Sequence, residues 1–122
     1  MKFANPQIEA EWEETKVDHR LRRLMSAVDT WCVWNLGKQL TLTDVLRTDP
    51  NSPHCYGRAC DVRTFQEFSD QEAVRIRDWT SLNFPYMGGA FSTTKFEKKG
   101  DKNPNGSTAT GDHLHFQVRS LT

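Results

Sequence analysis

The segment from residue 112 to 120, DHLHFQVRS, sets His113, His115, Gln117 and Arg119 in alternation with Leu114, Phe116 and Val118. A period of two is the mark of an extended strand, whose successive side chains point to opposite sides. One face of this strand is apolar and belongs against a core, while the other is polar and carries two imidazoles, His113 and His115, projecting together. The chain therefore has to build a sheet with one covered face and one open face.

Cover for the apolar face is supplied upstream. From Val17 to Leu36, the residues Val17, Leu21, Leu24, Met25, Val28, Trp31 and Cys32 recur at three- and four-residue intervals, the pattern of an amphipathic helix, and Gly37 is a plausible stop. Before it, Ile8 and Trp12 among Glu9, Glu11, Glu13 and Glu14 read as a shorter helix or as an arm laid over the core. KQLTLTDVLRT and RACDVRT read as strands. Ser69 followed by Glu72 forms a capping box, opening a helix that runs toward Phe84 and is ended by Pro85. GGAFSTTKFE reads as a further strand, and KKGDKNPNGSTATG as a long polar loop. The expected fold class is α+β, a small antiparallel sheet with flanking helices. Residues 1–122 are expected to form a single domain, with a helical region over 1–37 and the core over 38–122.

The chain has 122 residues, enough for one core, and its 16 basic and 16 acidic side chains cancel. No block of like charge provides the footprint that a phosphate backbone requires, so nucleic acid is not an expected partner. No apolar run approaches the roughly 20 residues that span a bilayer, and the start, MKFANPQIEAEWEE, lacks the apolar stretch of a secretory signal. A soluble product made in the cytoplasm, without a membrane partner and monomeric, is expected. Cys32, Cys55 and Cys60 cannot all pair within one chain, which argues against a disulfide scaffold.

A second stretch, SPHCYGRACDVRT, holds His54 and Asp61 seven positions apart, with Gly57 and Ala59 between them. Gly57 permits a tight turn or a close backbone approach, and Ala59 leaves room beside a bound group. A lone His–Asp pair in a polar loop is more often a solvated turn than a ligand pair. Joined by imidazoles from the terminal strand, it offers the nitrogen and oxygen donors that zinc takes. Three protein ligands leave a fourth position for water, the arrangement of hydrolytic zinc. Cys55 and Cys60 are rival ligands, but no CxxC spacing supports them, and they read as small buried apolar residues. His19 reads as solvated, Trp31 and Trp34 as core and rim packing.

Ser52-Pro-His54-Cys-Tyr-Gly57-Arg-Ala59-Cys-Asp61 resembles the SxHxxGxAxD signature of the zinc D-alanyl-D-alanine peptidases. That superfamily also contains the L-alanyl-D-glutamate endopeptidases of phage endolysins and the zinc-bearing amino-terminal domain of Hedgehog proteins. The family's second signature, an acidic residue three positions before the last zinc ligand, is matched by Asp112-His-Leu-His115. The resemblance covers roughly residues 38 to 119 and leaves the first helix and the acidic segment unanchored.

The resemblance implies a Hedgehog/DD-peptidase-like fold in which His54, Asp61 and His115 hold zinc and Asp112 is the general base. It implies that Arg47 binds the scissile carbonyl oxygen, the plain alternative being a surface ion pair. Ser52 matches a position close to substrate, or else forms the turn before Pro53. Strand alternation puts His113, not Asp112, on the face of His115, and in the more distant lysostaphin-type relatives the first histidine of an HxH pair serves near the catalytic water. Gly111 lets the backbone enter the strand irregularly. Asp112 is the expected base, with His113 as a hydrogen-bond partner or oxyanion helper.

The function so implied is that of a zinc peptidase, a carboxypeptidase or endopeptidase acting on D-amino-acid-containing stem peptides of peptidoglycan. A phage endolysin released to the wall, or a virion-associated enzyme, is the implied setting. The alternative is a non-catalytic, Hedgehog-like zinc-containing binding or structural domain, which needs neither Asp112 nor Arg47. A weaker third reading is a redox or regulatory zinc site on Cys55 or Cys60. The loop from Lys98 to Lys102 reads as solvated, or as a cleft wall touching an anionic wall polymer.

Overall fold

The computed structural model describes residues 1–47, 50–85, 92–102, 108 and 111–120. Ile8 and Trp12 become the buried side of a short helix, α1 (Pro6–Trp12), so the acidic segment is helical rather than an arm. The Asn5 side chain starts it by accepting the Ile8 N–H at 3.0 Å. Leu21, Leu24, Met25, Val28 and Cys32 form the buried stripe of α2 (His19–Leu36). It begins two residues later than the expected Val17, because the Asp18 carboxylate caps it by accepting the Arg20 N–H at 2.8 Å. It ends at Gly37, whose φ of 68° is the left-handed geometry that suits glycine.

The expected strands form as β2 (Thr41–Asp44), β3 (Ala59–Arg63), β4 (Ser92–Glu97) and β5 (His113–Val118). The Ser69–Glu72 capping box is present and opens α3 (Asp70–Asn83). Residues 88–91, the start of the expected third strand, and residues 103–107 and 109–110 of the expected polar loop lie outside the described residues.

Among the described residues the sheet has five strands, these four and β1 (Lys2–Phe3), in the order β1-β2-β3-β5-β4. The expectation of a purely antiparallel sheet is corrected by β1, which pairs with β2 in parallel. Two residues are too few to show a period. This strand is created by the bonds from the Lys2 and Ala4 N–H groups to the carbonyls of Leu40, at 2.7 Å, and Leu42, at 2.9 Å.

Leu114, Phe116 and Val118 of β5, Cys60 and Val62 of β3, and Leu40 and Leu42 around β2 join the α2 stripe in one buried cluster. Burying each of the large ones contributes about 1.5–3 kcal/mol. α3 packs beside β4 and against α2. The helices thus take the apolar face, and His113, His115 and Gln117 of β5 occupy the other. Among the described residues, no helix is long and apolar enough to cross a membrane.

Candidate metal centre

Sheet register brings the first two donors together. β3 and β5 run antiparallel with Asp61 directly opposite His115, so both side chains leave the same face. Within β3, Cys60 and Val62 turn into the core and Asp61 between them turns away from it.

The third donor arrives on a 3-10 turn (Pro53–Tyr56), started by Ser52, whose Oγ accepts the His54 N–H at 3.3 Å. Gly57 ends this turn at φ 67°. A Cβ there would lie 2.1 Å from the Lys16 carbonyl oxygen, and the Gly57 carbonyl accepts the Asp18 N–H at 2.9 Å. Glycine therefore lets the turn carrying His54 dock on the link between α1 and α2.

His54, Asp61 and His115 each present a donor atom, all within 4.8 Å of one another. Asp61 Oδ1 is 2.9 Å from His115 Nδ1 and 3.6 Å from His54 Nε2. The two rings are 5.4 Å apart and tilted by 59°, so they flank the carboxylate rather than stack. His54 Nδ1 lies 3.1 Å from the Val45 carbonyl, which can only accept, so a neutral ring keeps its proton on Nδ1, and Nε2 donates toward Asp61 only when the ring is protonated. On the far side of His115, Nε2 lies 3.1 Å from Gln117 Oε1.

Burial pushes the Asp61 carboxyl up, but the hydrogen bonds and charges of His115 and His54 outweigh it and hold the group well below the ordinary carboxylate range. Burial pushes His115 down, and the bond to Asp61 overrides it, leaving His115 raised. The three donor atoms lie close enough together to hold a metal ion. Two imidazole nitrogens and one carboxylate oxygen are a donor set that zinc takes with a position to spare. The residues present fit the ion.

The other expected site residues divide. Arg47 reaches the centre, with Nη2 3.2 Å from Asp61 Oδ2, and a second bond from Nε to Asp44 at 2.6 Å. Ser52 acts as the cap of the turn that carries His54. Asp112 and His113 are held by other groups. Asp112 Oδ1 accepts the Lys99 N–H at 2.9 Å, and Oδ2 pairs with Lys98 at 3.0 Å. The Lys99 amide and the Lys98 ammonium hold its carboxyl below the ordinary range.

His113 shares the face of His115, but its Nδ1 lies 2.9 Å from the Gly111 carbonyl and its Nε2 3.0 Å from Glu97. Lys98 also pairs with Asp70 at 2.9 Å, so this lysine of the polar loop ties α3 to Asp112. Cys60 is fully buried in the core, and burial raises its thiol well above the ordinary value, which removes it as a rival ligand. His19 is exposed, Trp34 is exposed, and Trp31 stacks on Trp79 at 5.2 Å.

Four participants escaped the sequence: Asp44, the Val45 carbonyl, Glu97 and Gln117. Gln117 was within reach of the period-two argument, being two residues past His115. A backbone carbonyl carries no residue signal. Comparison with known protein families, with curated proteins and with solved structures finds no match to this chain.

Proposed function

We propose that this chain is a zinc-dependent peptidase that hydrolyses amide bonds in D-amino-acid-containing stem peptides of peptidoglycan, as a carboxypeptidase or endopeptidase of the phage endolysin kind. The observation that carries the reading is the convergence of His54, Asp61 and His115 within 4.8 Å, at the positions of the SxHxxGxAxD-like and DxxH-like motifs. Zinc held there supplies Lewis acidity toward an amide carbonyl and an activated water at neutral pH.

The chain's own groups complete the chemistry. Arg47 is a fixed cation at the rim of the donors, suited to binding the scissile carbonyl oxygen and stabilising the charge that develops on it. Asp112 is the proton acceptor. Its competitor His113 has both ring nitrogens engaged, by Gly111 and Glu97, whereas the ion pair between Asp112 and the partly exposed Lys98 is of a kind worth little and easily exchanged. His113 then serves as a hydrogen-bonding group on the same face. Ser52 holds His54 in place through its backbone.

One observation favours a second reading, a non-catalytic zinc-containing binding or structural domain. The Asp112 carboxylate is bonded to Lys98 and the Lys99 amide, partners that lower its basicity. Mass spectrometry of fragments released from defined muropeptides by the zinc-loaded protein separates the two. Release is expected, with Asp112→Ala retaining zinc and losing about 100-fold or more of the rate. Zinc binding without any release would favour the second reading, and full activity in Asp112→Ala would remove Asp112 as the base.

A further inference from the structure

We infer that Gln117 is a positioning residue of the metal centre, whose side-chain carbonyl accepts the His115 Nε2–H and so presents His115 Nδ1 as the donor atom to the ion. The inference rests on the metal reading above and deepens it. His115 and Gln117 stand two residues apart on β5 and share its polar face, with Gln117 Oε1 3.1 Å from Nε2 and Asp61 Oδ1 2.9 Å from Nδ1.

A neutral imidazole carries one N–H. When an ion replaces the hydrogen that Nδ1 shares with Asp61, the one N–H left is on Nε2, where Gln117 accepts it, and the Nδ1 lone pair faces the space shared with Asp61 and His54. Were the Gln117 amide reversed, its NH2 would donate to Nε2, the ring hydrogen would move to Nδ1, and His115 would only hydrogen-bond Asp61. One amide orientation thus decides between a ligand and an ordinary His–Asp pair.

The Val45 carbonyl does the equivalent for His54 at 3.1 Å, but on the opposite ring nitrogen, so the two imidazoles face the ion through different atoms. Nothing can replace a backbone carbonyl by simple substitution, whereas Gln117 can be varied. It lies opposite Ala59 on β3, is only partly buried, and leaves no hole in the core when changed.

The test is zinc affinity, by competition with a chromophoric chelator, together with the absorption spectrum of the cobalt(II)-loaded protein, for wild type, Gln117→Glu and Gln117→Leu. A carboxylate accepts and cannot donate. Gln117→Glu should therefore bind within a few-fold of wild type with an unchanged cobalt spectrum, while Gln117→Leu loses about 10- to 100-fold and shifts the spectrum. Wild-type or higher affinity in Gln117→Leu, the result expected if Gln117 donates, overturns the role, and so does a loss in Gln117→Glu as large as that in Gln117→Leu. If Gln117→Leu fails to fold, Gln117→Glu decides alone, retained binding supporting the role and a tenfold loss overturning it. His54→Ala separates the two levels: should it bind zinc as wild type does, the metal reading itself falls, and Gln117 with it.

Discussion

Asp61 carries its charge where burial opposes it, and among the described residues the two imidazoles and Arg47 offset that cost. Asp61→Asn keeps the shape and removes the charge, so zinc affinity should drop by more than about 100-fold, beyond what loss of an outer hydrogen-bond partner costs. Chelator competition reads this, and near-native affinity would mean that Asp61 is no ligand. Gly57 is a different kind of residue, required by geometry alone. Gly57→Ala places a methyl 2.1 Å from the Lys16 carbonyl oxygen at a φ of 67°. The left-handed conformation alone costs about 1–2 kcal/mol, and relief of the overlap must move the turn that bears His54. Urea unfolding should show at least that loss, together with weaker zinc binding, and an unchanged midpoint would contradict the close approach. At this scale the grouping of His54 and Asp61 with the histidines of β5 was legible from clustering and alternation, whereas the choice of His54, Asp61 and His115 among them came from the family resemblance. The Val45 carbonyl was not, since every residue has one.

Helix ends were the most legible elements, because a cap acts over three or four residues. Ser69 with Glu72 announced α3, and Gly37 ended α2 as expected. Asp18 at the start of α2 was missed in favour of Val17, whose apolar side chain continues the helical spacing but is buried in the preceding turn. Asp18→Ala should cost about 1 kcal/mol in urea unfolding through loss of the cap. The side-chain bond from Arg20, followed by opposing burial, leaves the Asp18 carboxyl below its ordinary value of 3.8. A lowered carboxyl stabilises the folded chain fully above that ordinary value, and the contribution is lost as pH falls through the folded-state value. The gap between wild type and Asp18→Asn should accordingly narrow as the solution is acidified below pH 3.8, and a gap that widened there would refute the pairing. Strand β1 had no signal to read, being two residues whose pairing is decided by β2.

Across the whole molecule, the centre joins β3, β5 and the 3-10 turn, so an ion bound only by the folded chain stabilises all of it. At a hundredfold excess over the dissociation constant this linkage is worth about 2.7 kcal/mol, roughly 10 °C in the unfolding midpoint for a chain of this size. Adding a chelator should lower the wild-type midpoint by that order and leave His54→Ala unmoved, as followed by circular dichroism. Equal shifts in both would place the ion elsewhere. The amino-acid sequence by itself determined the α+β class, α2 and α3 with their stops, and which side chains of β5 turn from the core, because periodicity and caps operate within one turn or one strand. Tertiary structure alone decided that Asp61 meets His115 across 54 positions, that Arg47 closes on Asp61, that Asp112 rests on Lys98, and that β1 makes the sheet mixed. Those outcomes depend on strand register and on how the link before α2 packs against Gly57, and no local pattern contains either.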